Sequence, residues 1–193
     1  MNEIILIPGL GDNVKYVKFL TKNWERRYNV KLHIIPFGFN GGFNEFEDRF
    51  KVFLNKVDEI IENGNKVSLI GSSAGASVVI NAYCLRKDRI NKVISVCGRL
   101  KDVNVKQRFY YPKNPLTVFK ESIALCEKNL LSLTQDDKKK ILYFKPLFDD
   151  VVPVRTMIIN GANYKRLFSF QHGINISFAL TLMSEKIISF INI

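Results

Sequence analysis

The sequence predicts an α/β fold: a six-stranded, mostly parallel sheet with helices on both faces. Two observations carry this. Short, almost uninterrupted apolar runs alternate with stretches of helical periodicity, the pattern of strands buried on both faces. One of those runs, "KVSLIG", leads directly through Gly-Ser-Ser-Ala-Gly into a helical stretch, so a strand, a tight glycine turn and a helix follow one another without a linker.

Taken in order, "EIILIP" (3–8) is the first strand, stopped by Pro8-Gly9. Residues 14–28 put Val14, Val17, Leu20 and Trp24 on one helical face. "VKLHIIPF" (30–37) reads as the second strand. Between 43 and 61, Phe43, Phe46, Phe50, Phe53, Val57, Ile60 and Ile61 recur at steps of three and four, which predicts an amphipathic helix ending at Asn63-Gly64-Asn65. The third strand then opens at Lys66, "GASVVINAYCLRK" forms a helix, and "KVISVCG" (92–98) is the fourth strand. Residues 99–137 hold no strand pattern and read as a helical insertion, expected to form a cap that shapes a pocket. "ILYFKP" (141–146) restores the strand pattern, "TMIING" (156–161) and "YKRLFSF" (164–170) are the weaker candidates for the strand after it, and one amphipathic helix from Gly173 closes the single domain by covering the sheet.

Composition narrows the function classes. The chain has 193 residues, 47% hydrophobic and 24% charged, the proportions of one globular domain. Its longest apolar runs fall short of the ~18–20 residues that span a bilayer. Its first ten residues lack the basic and apolar regions of a signal peptide, so a cytoplasmic protein is expected. Cys84, Cys97 and Cys126 are odd in number and widely spaced; with two histidines they make no zinc set and are expected to be reduced, buried thiols. The net charge is +11, and the densest basic stretch, Arg99 to Lys113, includes three aromatics. No RRM, KH or zinc-finger signature accompanies it, which favours a solvated basic face that attracts anions over a nucleic-acid site.

The chemistry concentrates on "GSSAG". In G-x-S-x-G only Ser73 is central. The chemistry needs a serine raised above the sheet on a strained turn, with Gly71 and Gly75 admitting the close approach of strand and helix. Ser72 points elsewhere. A serine hydroxyl is a poor nucleophile without a base. His33 falls inside a strand and reads as structural. His172, in "FQHGIN" between the last strand and the last helix, is the candidate base, because α/β sheets place functional groups beyond the carboxyl ends of strands. Asp149 and Asp150, in "FDDVVP", follow the fifth strand and offer the acid that orients the base.

These residues resemble the α/β-hydrolase family, in a small esterase- or lipase-like form similar to the retinoblastoma-binding-protein-9-like hydrolases. "IPGLGD", "GSSAG", "DDVVP" and "HG" carry the resemblance, and the order Ser73, Asp, His172 is that of the family's triad. It implies strand order 2-1-3-4-5-6, with the two extra N-terminal strands of the family missing. The family's D-x-x-V-P pattern puts Asp149 in the acid's place, with Asp150 the alternative. The loop after the first strand, often His-Gly-x in the family, is Pro8-Gly9-Leu10 here and lacks the histidine. The resemblance implies an oxyanion hole from the backbone N–H groups of Leu10 and Ala74, with Gly11 an alternative to Leu10. It also implies a serine hydrolase, a carboxylesterase acting on a small-molecule ester or thioester without metal or organic cofactor. A binding or scaffold protein on the same fold is the alternative.

Overall fold

The computed structural model describes residues 2–39, 46–62, 64–102 and 117–193. Its centre is one six-stranded sheet of β1 (Asn2–Ile7), β2 (Val30–Ile34), β3 (Lys66–Ser72), β4 (Ile90–Val96), β5 (Ile141–Pro146) and β6 (Asn163–Leu167), in the order β2-β1-β3-β4-β5-β6. Every pairing is parallel. The order reverses direction beside β1 and β3, so the carboxyl ends of those two strands open a crevice between diverging crossovers, where α/β sheets hold their ligands.

Alternation along the strands divides the core in two. Ile5 and Ile7 of β1, Val67 and Leu69 of β3, and Ile141 and Tyr143 of β5 face one layer. Ile4 and Leu6, Ile70, and Leu142 and Phe144 face the other. The first layer contains α3 (Phe46–Glu62), α4 (Gly75–Leu85) and α5 (Thr117–Leu131); the second contains α1 (Val14–Thr21), α2 (Trp24–Tyr28), α7 (His172–Leu180) and α8 (Ser184–Asn192). Nine residues of α4, Gly75 through Tyr83, are buried, as befits a helix packed between sheet and neighbouring helices.

Three expectations change. The helix over 14–28 is two helices: Thr21 Oγ1 donates back to the Val17 carbonyl, and the Trp24 indole N–H donates to the Leu180 carbonyl, anchoring the second piece to the far end of α7. The closing helix is also two, bent by 54° where Thr181 and Ser184 hydroxyls bond back to Ser177 and Thr181 carbonyls. No single helix among the described residues is long and apolar enough to cross a membrane. "TMIING" is no strand. The chain instead makes a 3-10 turn at Val154–Thr156 after Pro153, and Met157 and Ile159 plug the core from a loop.

Of the segment 99–137, expected to be a cap, residues 117–137 are described, and they hold α5 and part of the short helix after it. α5 is a layer helix on α4: Ser122 Oγ lies 2.7 Å from Ser77 Oγ, and the Ser122 carbonyl accepts from Asn81 Nδ2 at 2.9 Å. α6 (Gln135–Lys139) is a surface turn closed by a Thr134–Asp137 capping box. These residues complete the body, because an apolar stripe of Val118, Phe119, Ile123 and Cys126 is buried only by packing inward. Phe43, Phe109, Tyr110, Tyr111 and most of the basic stretch to Lys113 lie outside the described residues.

Candidate active site

The site starts from a backbone distortion. Between β3 and α4, Ser73 has φ +52°, a left-handed conformation that costs a non-glycine residue roughly 1–2 kcal/mol. Both sides of the turn are clamped. The Ser73 N–H donates to the Val96 carbonyl at 2.9 Å, and its carbonyl accepts from Ala76 N and Arg99 N at 3.2 and 3.3 Å. A Cβ on Gly71 would stand 2.4 Å from the Gly75 carbonyl oxygen. One on Gly75 would stand 2.4 Å from the carbonyl oxygens of both Ile7 and Pro8. These contacts are backbone and cannot rotate away, so only glycine fits. Ser72 is buried and directs its hydroxyl to the Ile7 carbonyl.

His172 is the first residue of α7 rather than part of the loop before it. Its Nε2 lies 2.9 Å from Ser73 Oγ and its Nδ1 lies 2.8 Å from Asp149 Oδ2. With the ring proton on Nδ1 donated to Asp149, Nε2 accepts from the Ser73 hydroxyl. Asp149 is buried, and its other oxygen, Oδ1, accepts from the N–H groups of Val151 at 3.0 Å and Val152 at 2.7 Å. Asp150 does a different job. It is exposed, and its Oδ1 accepts from the His172 backbone N–H at 2.7 Å, a carboxylate at a helix N-terminus. Gln171 caps the same helix by accepting from Ile174 N at 2.7 Å. The structure thus brings Ser73, His172 and Asp149 together, with Asp150 holding the backbone of the histidine.

The Pro8-Gly9-Leu10 loop lies against the turn. A Cβ on Gly9 would come 3.1 Å from Ser73 Cβ, and a turn closed by Asp12 N to the Gly9 carbonyl at 2.9 Å fixes its path. Ala74 stands at the cap position of α4, where amides point out of the helical ladder. Gly9 and Ala74 therefore adjoin Ser73 from two different segments.

The sequence reading assigns no role to two residues beside the site, Asp12 and Asn175. Asp12 (φ +46°) accepts from the N–H groups of Phe37, Gly38 and Phe39 at 2.8–2.9 Å, tying the β1 loop to the segment after β2. An aspartate in a glycine-rich loop is the signal that could have found it. Asn175, fully buried one turn along α7 from His172, directs Nδ2 to the Phe148 carbonyl at 3.5 Å, next to the acid. Cys97, at the end of β4, has its thiol pushed well up by burial and then by the Asp149 charge, which keeps it protonated and inert. Cys84, Cys97 and Cys126 are free cysteines. His33 pairs with Glu3 at 2.6 Å and takes no part in the site. No cluster of metal-ligating side chains occurs among the described residues.

No family model matches the chain, and no curated protein sequence matches it. Solved structures do. The metagenome-derived lipolytic enzymes LipS and LipT give a TM-score of 0.68 at 14% identity, over 99% of this chain and 93% of that one. Est1E from Butyrivibrio proteoclasticus gives 0.69 at 16%, over 98% and 86%. The chain has the α/β-hydrolase fold. A meta-cleavage product hydrolase from Pseudomonas fluorescens aligns over 100% of this chain and 91% of its own, with a TM-score of 0.68 at 14% identity. The α/β-hydrolase fold is here a reduced one, its six parallel strands beginning at the strand that leads into Pro8-Gly9-Leu10.

Proposed function

We propose that the protein is a serine hydrolase that cleaves a carboxylic ester or thioester. The observation that carries the reading is the unbroken hydrogen-bond chain from Ser73 Oγ through His172 to Asp149. Ser73 attacks the acyl carbon while His172 Nε2 takes its proton. Asp149 holds the ring tautomer and stabilises the imidazolium. The backbone N–H groups of Leu10 and Ala74 receive the oxyanion; donors of this kind contribute about 3–4 kcal/mol each to the transition state. His172 then protonates the leaving oxygen or sulfur. Water, deprotonated by the same nitrogen, attacks the acyl-serine, releases the carboxylic acid and restores Ser73. Every proton taken is returned, and the steps need no metal or organic cofactor. Structural likeness to lipolytic enzymes and esterases supports an acyl substrate.

A fluorophosphonate probe tests the reading. Wild-type protein labels on Ser73 and turns over p-nitrophenyl esters with a preference along an acyl-length series. Labelling that survives Ser73→Ala, or no labelling of wild type, defeats it.

A further inference from the structure

We propose that the mouth of the site docks on an anionic phospholipid surface through the loops that carry Asp149 and His172. Leu147 and Phe148, just after β5, and Phe168 and Phe170, just after β6, are 54–75% exposed. They lie together, because Leu147 N donates to the Leu167 carbonyl at 3.2 Å. Four large apolar side chains at adjacent loop tips are costly to leave in water, and they project at the carboxyl ends of the strands, where Ser73 also lies.

Charge selects the partner. Lys145 and Arg166 are register partners on β5 and β6, each two residues behind the first exposed apolar residue of its loop. Two residues of strand set their Cα atoms about 7 Å behind the tips, with the Lys145 ammonium resting over the Tyr164 ring at 4.8 Å. That matches the depth to which apolar groups enter the headgroup boundary while cations stay at headgroup level. Lys165 adds a third cation on the exposed edge strand. From Lys145 to Ser184 the only acidic residues are Asp149, which is buried, and Asp150, against Lys145, Arg155, Lys165 and Arg166. An apolar tip with a cationic collar fits an anionic bilayer. Docking goes beyond the proposed hydrolysis and does not depend on it, since binding needs no reaction at Ser73.

The test is co-sedimentation of the full chain with phosphatidylcholine vesicles, with and without 40% phosphatidylglycerol. Binding is expected to be at least tenfold tighter to the anionic vesicles and to be kept by Ser73→Ala. A Phe168→Ser/Phe170→Ser variant and a Lys165→Glu/Arg166→Glu variant should each lose about tenfold or more. Lys66→Glu/Lys139→Glu, at the amino ends of β3 and β5, should stay within twofold of the wild type. Equal binding to both vesicle types, no binding, or an equal loss in the distal variant overturns the proposal. Circular dichroism identical to wild type keeps each variant informative.

Discussion

Two histidines in this molecule pair with carboxylates, at opposite ends of the same sheet. At the amino end of β1, His33 Nε2 lies 2.6 Å from Glu3, which also takes Asn65 Nδ2 at 2.8 Å and Lys31 Nζ at 3.7 Å. At the carboxyl ends, His172 lies 2.8 Å from Asp149, whose other oxygen is filled by two backbone amides. The first pair closes into a charge cluster that neutralises a buried glutamate. The second leaves its outer nitrogen facing a hydroxyl on a distorted turn. A histidine–carboxylate pair is therefore not a device in itself; the backbone around it decides whether it closes into a charge cluster or faces a hydroxyl.

The largest effect that could break this contrast is on turnover. Ser73→Ala or His172→Ala should lower kcat by about 10⁵-fold or more, while His33→Ala should leave kcat within twofold, read with a p-nitrophenyl ester. Next, Asp149→Asn should cost about 10⁴-fold by offering the ring the wrong tautomer, and Asp150→Asn about tenfold at most, because its oxygen still accepts from the His172 amide. Gly75→Ala should destabilise by about 3 kcal/mol, measured by urea unfolding, since its Cβ meets two carbonyl oxygens. Glu3→Gln should cost about 2 kcal/mol of stability with kcat intact, the signature of a charge-settling pair.

The smallest effect is pH-dependent. The Arg86 hydrogen bond holds the Asp58 carboxyl below its ordinary range against a smaller opposing effect of burial. A depressed carboxyl stabilises the fold above the unfolded value near 4, and that contribution is lost as pH falls through the folded value. The half-exposed pair is worth about 0.5–1 kcal/mol. Unfolding free energies of wild type and Asp58→Asn from urea titrations should differ by that amount at pH 6, and the difference should shrink as pH falls below about 4.

Strands β1, β3, β4 and β5 are legible because most of their residues are apolar and buried on both faces. Ser73 and Asp149 stand out in the sequence because each follows such a strand, whereas His172 follows the exposed strand β6 and stands out by its order after Ser73 and Asp149. What is illegible depends on partners distant in sequence. Nothing in 14–28 announces that Trp24 will donate to Leu180 and break the helix. "TMIING" is apolar because Met157 and Ile159 are buried, and burial alone does not choose a strand over a turn. The inward packing of α5 depends on Ser77 and Asn81, some forty residues earlier.

The space that Gly75 leaves empty is filled by the Ile7 and Pro8 carbonyls, and Gly9 rests on Ser73. Residues 7–12 and 71–76 are consequently one unit of inheritance although sixty residues separate them. A chimera that imports the β3–α4 turn of another α/β-hydrolase-fold protein without its first loop should misfold, whereas importing both together should transplant cleanly. Engineering of this chain should treat the two segments as a single cassette.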